Sequence, residues 1–150
     1  MRVIPFTKRG YKELKKKLKK TISKRPEAVK QLARGREMGD LSENGLYKAA
    51  KQELRDLDRE IRNLKFLVKY GREFIPKSDS TVQIGHKIIV ESEAGAKEFF
   101  IVGEYEADPT QNKISNRSPI GHSLMGKIID EKIIINTPRG KKIYTIKSIE

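Results

Sequence analysis

The chain has no cysteine and no tryptophan, and only two histidines among its 150 residues. Without thiols there are no disulfides and no cysteine-based zinc site. His86 and His122 are far apart and lack the spacing of paired metal ligands, so they read as surface or turn residues. Long apolar runs are missing as well. No stretch approaches the roughly 18 residues of a membrane span, and the opening MRVIPFTKRG lacks the apolar core of a secretory signal. A cytoplasmic protein with no membrane partner is expected. Hydrophobic residues make up 36% of the chain and charged residues 35%, a balance that suits a long, solvated helical part beside a modest core.

Negative charge is scarce, and unevenly so. The formal net charge is +13. Residues 1–75 hold 22 Lys/Arg against 10 Asp/Glu, whereas residues 76–150 hold 11 against 10. The basic character therefore belongs to the first half. It points to a polyanionic partner, nucleic acid foremost, or else to a solvated helix surface.

The first half reads as helix. Thr7 is a good N-cap before KRGYKELKKKLKKTISK. Tyr11, Leu14, Leu18 and Ile22 form one narrow stripe at helical spacing. Pro26 lacks an N–H and should interrupt the helix near Lys24 and Arg25, after which the stripe resumes at Val29, Leu32 and Ala33. Beyond GREMGDLSENG, the residues Tyr47, Ala50, Leu54, Leu57, Ile61, Leu64 and Val68 alternate spacings of three and four, a strict heptad seam. Two narrow seams joined by a short Gly-bearing segment predict an antiparallel helical hairpin whose arms bury each other. Its tip is placed near residues 38–44.

The second half changes period. YGREFIPKSDST reads as a linker around Pro76. HKIIVES, KEFFIVGEYE, KIIIN and KKIYTIKSIE read as strands, with a short helix after Ser118 or Pro119. Phe99, Phe100, Ile101, Ile133, Ile135 and Ile146 are the core candidates. The fold class is α+β, with a coiled-coil hairpin domain over 1–75 and a twisted antiparallel sheet with one short helix over 76–150.

Asp40 and Glu43 are two carboxylates in basic surroundings. One reading is a capping box, Asp40 at N-cap and Glu43 at N3 of the second arm. The other is chemical. Mg²⁺ takes oxygen ligands and commonly binds one or two protein carboxylates, completing its shell with water and substrate phosphates. Two carboxylates alone make an incomplete site, which a partner would have to finish. The two roles are compatible.

At these residues the chain resembles the bacterial Gre transcript-cleavage factors, in their GreA-like form. FTKRGYKELKKKL resembles the family's opening helix. KRPEAVKQLARGREMGDLSENGLYKAAK resembles its hairpin tip, with GDLSEN and Tyr47 intact. ISNRSPIGHSLMGK and NTPRGKKIYTIKSIE resemble its C-terminal domain, which is FKBP-like. The resemblance implies a hairpin that enters the secondary channel of bacterial RNA polymerase. It implies that Asp40 and Glu43 help hold the polymerase's second Mg²⁺, so that the enzyme itself cuts the backtracked nascent RNA. Arg36 and Lys51 would contact the RNA 3′ segment, and Ser118, Pro119 and Ile120 would belong to the docking surface of the C-terminal domain. The factor would be a monomer and not itself an enzyme, with no Mg²⁺ bound when free. DNA is a further candidate partner of the basic hairpin. The chain departs from the family at Gly45 (usually Ala), Leu46 (usually acidic) and Asp130 (often Gly), and in its basic charge. These departures keep a second reading open: a channel-binding regulator that does not stimulate cleavage.

Overall fold

The computed structural model describes residues 2–39 and 44–150. The described chain forms two compact units. One comprises the residues up to Tyr11 together with Gly71–Glu150, and the other is Lys12–Tyr70.

The helical unit is built from α1 (Lys8–Ser23) from Lys12 onward, α2 (Arg25–Arg36) and α3 (Gly45–Tyr70). Thr7 caps α1, its hydroxyl accepting the Gly10 N–H at 3.0 Å. The interruption expected at Pro26 is present, with the proline in the first turn of α2. Lys24 between the helices keeps right-handed helical angles, φ −79° and ψ −19°. The break therefore does not reset the rotational phase of the arm.

That continuity corrects the expected stripe. Ile22 and Val29 are 42% and 40% exposed, and Ala33 is exposed. The buried residues of the first arm are Leu14, Thr21, Ala28 and Gly35. With half-buried Leu18 and Leu32 they follow one 3–4 spacing straight through the break. Small and polar residues hold seam positions, so a search for large apolar side chains drifts off by one. Buried Thr21 stays satisfied by donating its hydroxyl to Lys17 C=O at 2.7 Å, as a buried polar group must.

The seam of α3 is as expected: Ala50, Ile61 and Leu64 are buried, and Leu54, Leu57 and Val68 half-buried. Its register against the first arm is fixed at one end by Gly35. A Cβ there would lie 3.0 Å from the Tyr47 Cα and 3.2 Å from its N. Ion pairs agree with this antiparallel register farther along, Arg25 with Asp58 at 2.8 Å and Lys17 with Glu60 at 3.9 Å. The hydrogen bond from Arg25 is the main cause holding the Asp58 carboxyl below its usual range, with the charges of Arg25 and Arg62 adding to it against desolvation. A lowered folded-state value means that the pair's contribution is present above the unfolded-state pKa and is lost as pH falls through the folded one.

Gly35→Val is expected to destabilise the hairpin by about 1–3 kcal/mol, because the added bulk meets backbone that cannot rotate aside. Thermal melting followed by helical circular dichroism checks this.

The second unit holds a five-stranded sheet and a two-stranded pair. β1 (Ile4–Thr7) pairs in parallel with β2 (Gly71–Phe74). The segment from Gly71 that reads as linker in sequence thus begins with a strand. The remaining strands are β3 (Lys87–Ser92), β4 (Gly95–Val102), β5 (Lys113–Ser115), β6 (Lys132–Thr137) and β7 (Gly140–Ile149), in the order β5-β4-β3-β7-β6. This is the FKBP-like curled sheet expected, except that β5 joins β4 in parallel. The pairing of β3 with β7 shifts register between Ile89 and Val90, where Lys147 is the extra residue on β7.

The core gathers Ile88, Val90, Phe99, Ile101, Ile133, Ile135 and Ile146 around Leu124. Phe100 is not in it and is 37% exposed. Strand alternation requires this, since Phe99 and Ile101 point inward. Glu106 ties β1 to the sheet, its carboxylate accepting the N–H groups of Thr7 at 2.8 Å and Gly103 at 3.0 Å. Only glycine fits at 103, where a Cβ would sit 1.9 Å from the Pro5 carbonyl oxygen.

Asp130 adopts φ +73°, a conformation costly for most side chains and tolerated by Asp and Asn. Asp130→Gly is expected to raise the stability of this unit by about 0.5–1 kcal/mol, seen as a rise of a few degrees in its melting temperature.

Candidate functional site

The closing end of the hairpin is organised by Asn44. Its Oδ1 accepts the Tyr47 N–H at 3.1 Å, and its Nδ2 donates to Gly35 C=O at 2.6 Å. One side chain therefore caps α3 and fastens it to the last turn of α2. This corrects the capping-box reading. The helix starts at Gly45, so Asn44 is the N-cap and Tyr47 is N3. Asn is as good an N-cap as Asp, and here it has a second partner across the hairpin. Asp40 and Glu43 lie outside the described residues. By sequence, Glu43 immediately precedes the capping residue Asn44.

The structure brings Arg36 and Lys51 together. The Arg36 guanidinium carbon lies 5.9 Å from the centroid of the Tyr47 ring, and Lys51 Nζ lies 5.8 Å from it. Both cations are exposed and the ring is half-buried. A π face attracts cations by about 0.5–1 kcal/mol each at exposed sites. Tyr47 can thus hold two like charges in one place that would otherwise separate. Neither Asn44 nor Tyr47 stood among the sequence-derived site residues. The signal for Asn44 was an N-cap residue type directly before the periodic run. The orientation of Tyr47 had no sequence signal.

Met38 and Leu46 flank this end at 63% and 61% exposure. Among the described residues no group of three or more His, Asp or Glu side chains could hold a metal ion. The donor set of Asp40 and Glu43 is chemically suited to a hard cation such as Mg²⁺ but too small to complete its shell.

In the sheet unit, Ser118 spends its hydroxyl on structure. It accepts the Gly121 N–H at 3.1 Å and donates to Ser115 C=O at 2.7 Å, capping α4 (Pro119–Leu124). Ile120 packs against the core, and Pro119 is exposed. Beside this motif lies a cavity of about 360 Å³ lined by Val3, Pro5, Phe74, Ile75, Asn116 and Met125 among others. The buried Asn116 Oδ1 has no hydrogen-bond partner. No helix among the described residues is long and apolar enough to cross a membrane.

The helical hairpin and the curled sheet unit each match a domain of one family of two-part transcription elongation factors. The family described as "Transcription elongation factor, N-terminal" matches residues 4–70, and "Transcription elongation factor, GreA/GreB, C-term" matches residues 77–150. The chain is 38% identical over 144 residues to transcription elongation factor GreA of Staphylococcus carnosus, covering 93% of this chain and 89% of that one. It is 38% identical over 158 aligned positions to GreA of Bacillus subtilis, covering 99% and 97%. Among solved structures, GreA factor homolog 1 of Thermus thermophilus aligns at a TM-score of 0.47 and 26% identity, over 99% of both chains. The chain belongs to the GreA/GreB family of transcription elongation factors.

Proposed function

We propose that this factor binds bacterial RNA polymerase through the secondary channel and stimulates the polymerase's own cleavage of backtracked RNA. The observation that carries the reading is the clustering of Arg36 and Lys51 on one tyrosine ring, in the same hairpin end that bears Asp40 and Glu43. Membership in the family supports it.

Asp40 and Glu43 act as oxygen ligands delivered into a site that the polymerase completes. When bound there, the second Mg²⁺ supplies charge stabilisation at the phosphodiester and an activated water. Arg36 and Lys51 hold the extruded RNA by its phosphates, without base preference. Asn44 fixes the entry of α3 and with it the position of Tyr47 against Gly35. The exposed segment at Pro119 supports docking of the sheet unit on the polymerase.

The test is a backtracked elongation complex carrying 5′-labelled RNA. Addition of the factor is expected to shorten the labelled transcript from its 3′ end. Exposed Leu46 beside the tip favours a second outcome, channel binding without cleavage. That outcome would appear as slowed elongation with intact transcripts.

A further inference from the structure

β6 ends the five-stranded sheet and pairs with β7 alone. One residue fixes the phase of that pairing. Ile146 turns its backbone toward the β6 side, accepting the Asp130 N–H at 2.7 Å and donating to Glu131 C=O at 2.9 Å. Backbone direction alternates along a strand, so Tyr144 and Lys142 turn their backbones the same way. Their partners in the register, Ile133 and Ile135, therefore hold the hydrogen bonds to β7. The N–H and C=O groups of Lys132, Ile134 and Asn136 point outward. Among the described residues no hydrogen bond meets them.

The side chains of these three residues are exposed. Ile134 is 60% exposed and stands opposite Ile143 at 55%. The two form an apolar pair on the outer face, away from the core side chains Ile133 and Ile135. Lys132 lies to one side of the pair, and Lys141, opposite Asn136, lies to the other. The nearby carboxylates are committed, Glu131 to Lys127 and Glu91 to Lys147, each at 3.9 Å. Among the described residues no ion pair involves Lys132 or Lys141.

We propose that β6 accepts an extended acidic segment of a partner protein as a further strand of the sheet. The free edge supplies main-chain hydrogen bonds, and alternate side-chain positions supply selectivity. Along the edge run a cation, an apolar residue and a polar residue backed by a second cation. The complement has the two-residue period of a strand. It is a carboxylate, a branched apolar residue and a second carboxylate, each separated by one residue. A second copy of this chain fits worse. Pairing β6 with itself gathers Lys132 and Lys141 of both copies, and lysine on an edge strand discourages such pairing. A phosphate backbone has no donors for the edge carbonyls and nothing apolar for the isoleucine pair.

The edge belongs to the sheet unit, so its test is independent of cleavage. The full chain, labelled with ¹⁵N, is mixed with the synthetic peptide STETVTETS or its basic counterpart STKTVTKTS. Amide hydrogen exchange is followed by NMR. Saturating acidic peptide is expected to slow exchange at Lys132, Ile134 and Asn136 by at least about 10-fold, since exchange then requires the new hydrogen bonds to open. Exchange at Ile133 and Ile135, already bonded to β7, is expected to change little. The basic peptide is expected to bind at least about 10-fold more weakly. The variant K132E/K141E is expected to reverse that preference, a result that misfolding cannot produce. Failure of the acidic peptide to bind at millimolar concentration overturns the proposal, as does binding that leaves the three edge amides unchanged. Equal affinity for the two peptides overturns the acidic assignment. Sedimentation as a dimer without peptide, with the edge amides already protected, would assign the edge to a second copy and overturn it as well.

Discussion

Asp40→Asn is expected to lower factor-stimulated cleavage by about 100-fold while leaving hairpin helicity and melting unchanged, and Glu43→Gln should do the same. Losing a metal ligand costs at least what losing a ligand's own hydrogen-bond partner does, which is roughly 10–100-fold. The structure makes the separation from folding clean. The cap of α3 is Asn44, so neither carboxylate is needed to start the helix. Asn44→Ala is the opposite case. It removes the Tyr47 N–H acceptor and the tie to Gly35, and should cost about 1–2 kcal/mol in hairpin stability. If Asp40→Asn melted the hairpin and left cleavage intact, the carboxylate would be structural and the proposed chemistry wrong.

The second large effect is expected at Tyr47. Replacing the ring with an aliphatic side chain, Tyr47→Leu, removes the face shared by Arg36 and Lys51. At about 0.5–1 kcal/mol for each cation, cleavage at limiting factor should fall roughly 5–30-fold. Tyr47→Phe keeps the π face and should restore the wild-type rate. The rescue separates positioning from packing, since melting followed in parallel should change little between Phe and Leu. A Leu variant as active as the Phe variant would show that the ring does not position the cations.

The hairpin and the curled sheet were legible because their signals are periodic. Heptad spacing in α3 and β-rich runs after residue 86 identify element type without knowledge of partners. Where the reading went astray, a local rule was overridden by contact. Thr21, Ala28 and Gly35 hold seam positions that hydrophobicity alone assigns to Ile22, Val29 and Ala33. Lys24 keeps helical angles, so the phase runs on through Pro26. Phe100 was drawn into the core by a run of apolar letters that strand alternation splits between two faces. Asn44 took the cap from Asp40 because its amide could also reach across to Gly35, a partner nine residues away that no window around the helix start contains. At the site, residue types and spacing named Arg36 and Lys51 through the family motif. That both lean on Tyr47 is a fact of three dimensions.

The most direct measurement is a Mg²⁺ titration of cleavage in a backtracked elongation complex, with and without the factor. If Asp40 and Glu43 raise occupancy of a weak metal position, the factor shifts half-maximal cleavage to lower Mg²⁺, and Asp40→Asn or Glu43→Gln returns it to the factor-free value. A higher maximal rate at an unchanged Mg²⁺ midpoint would contradict the account.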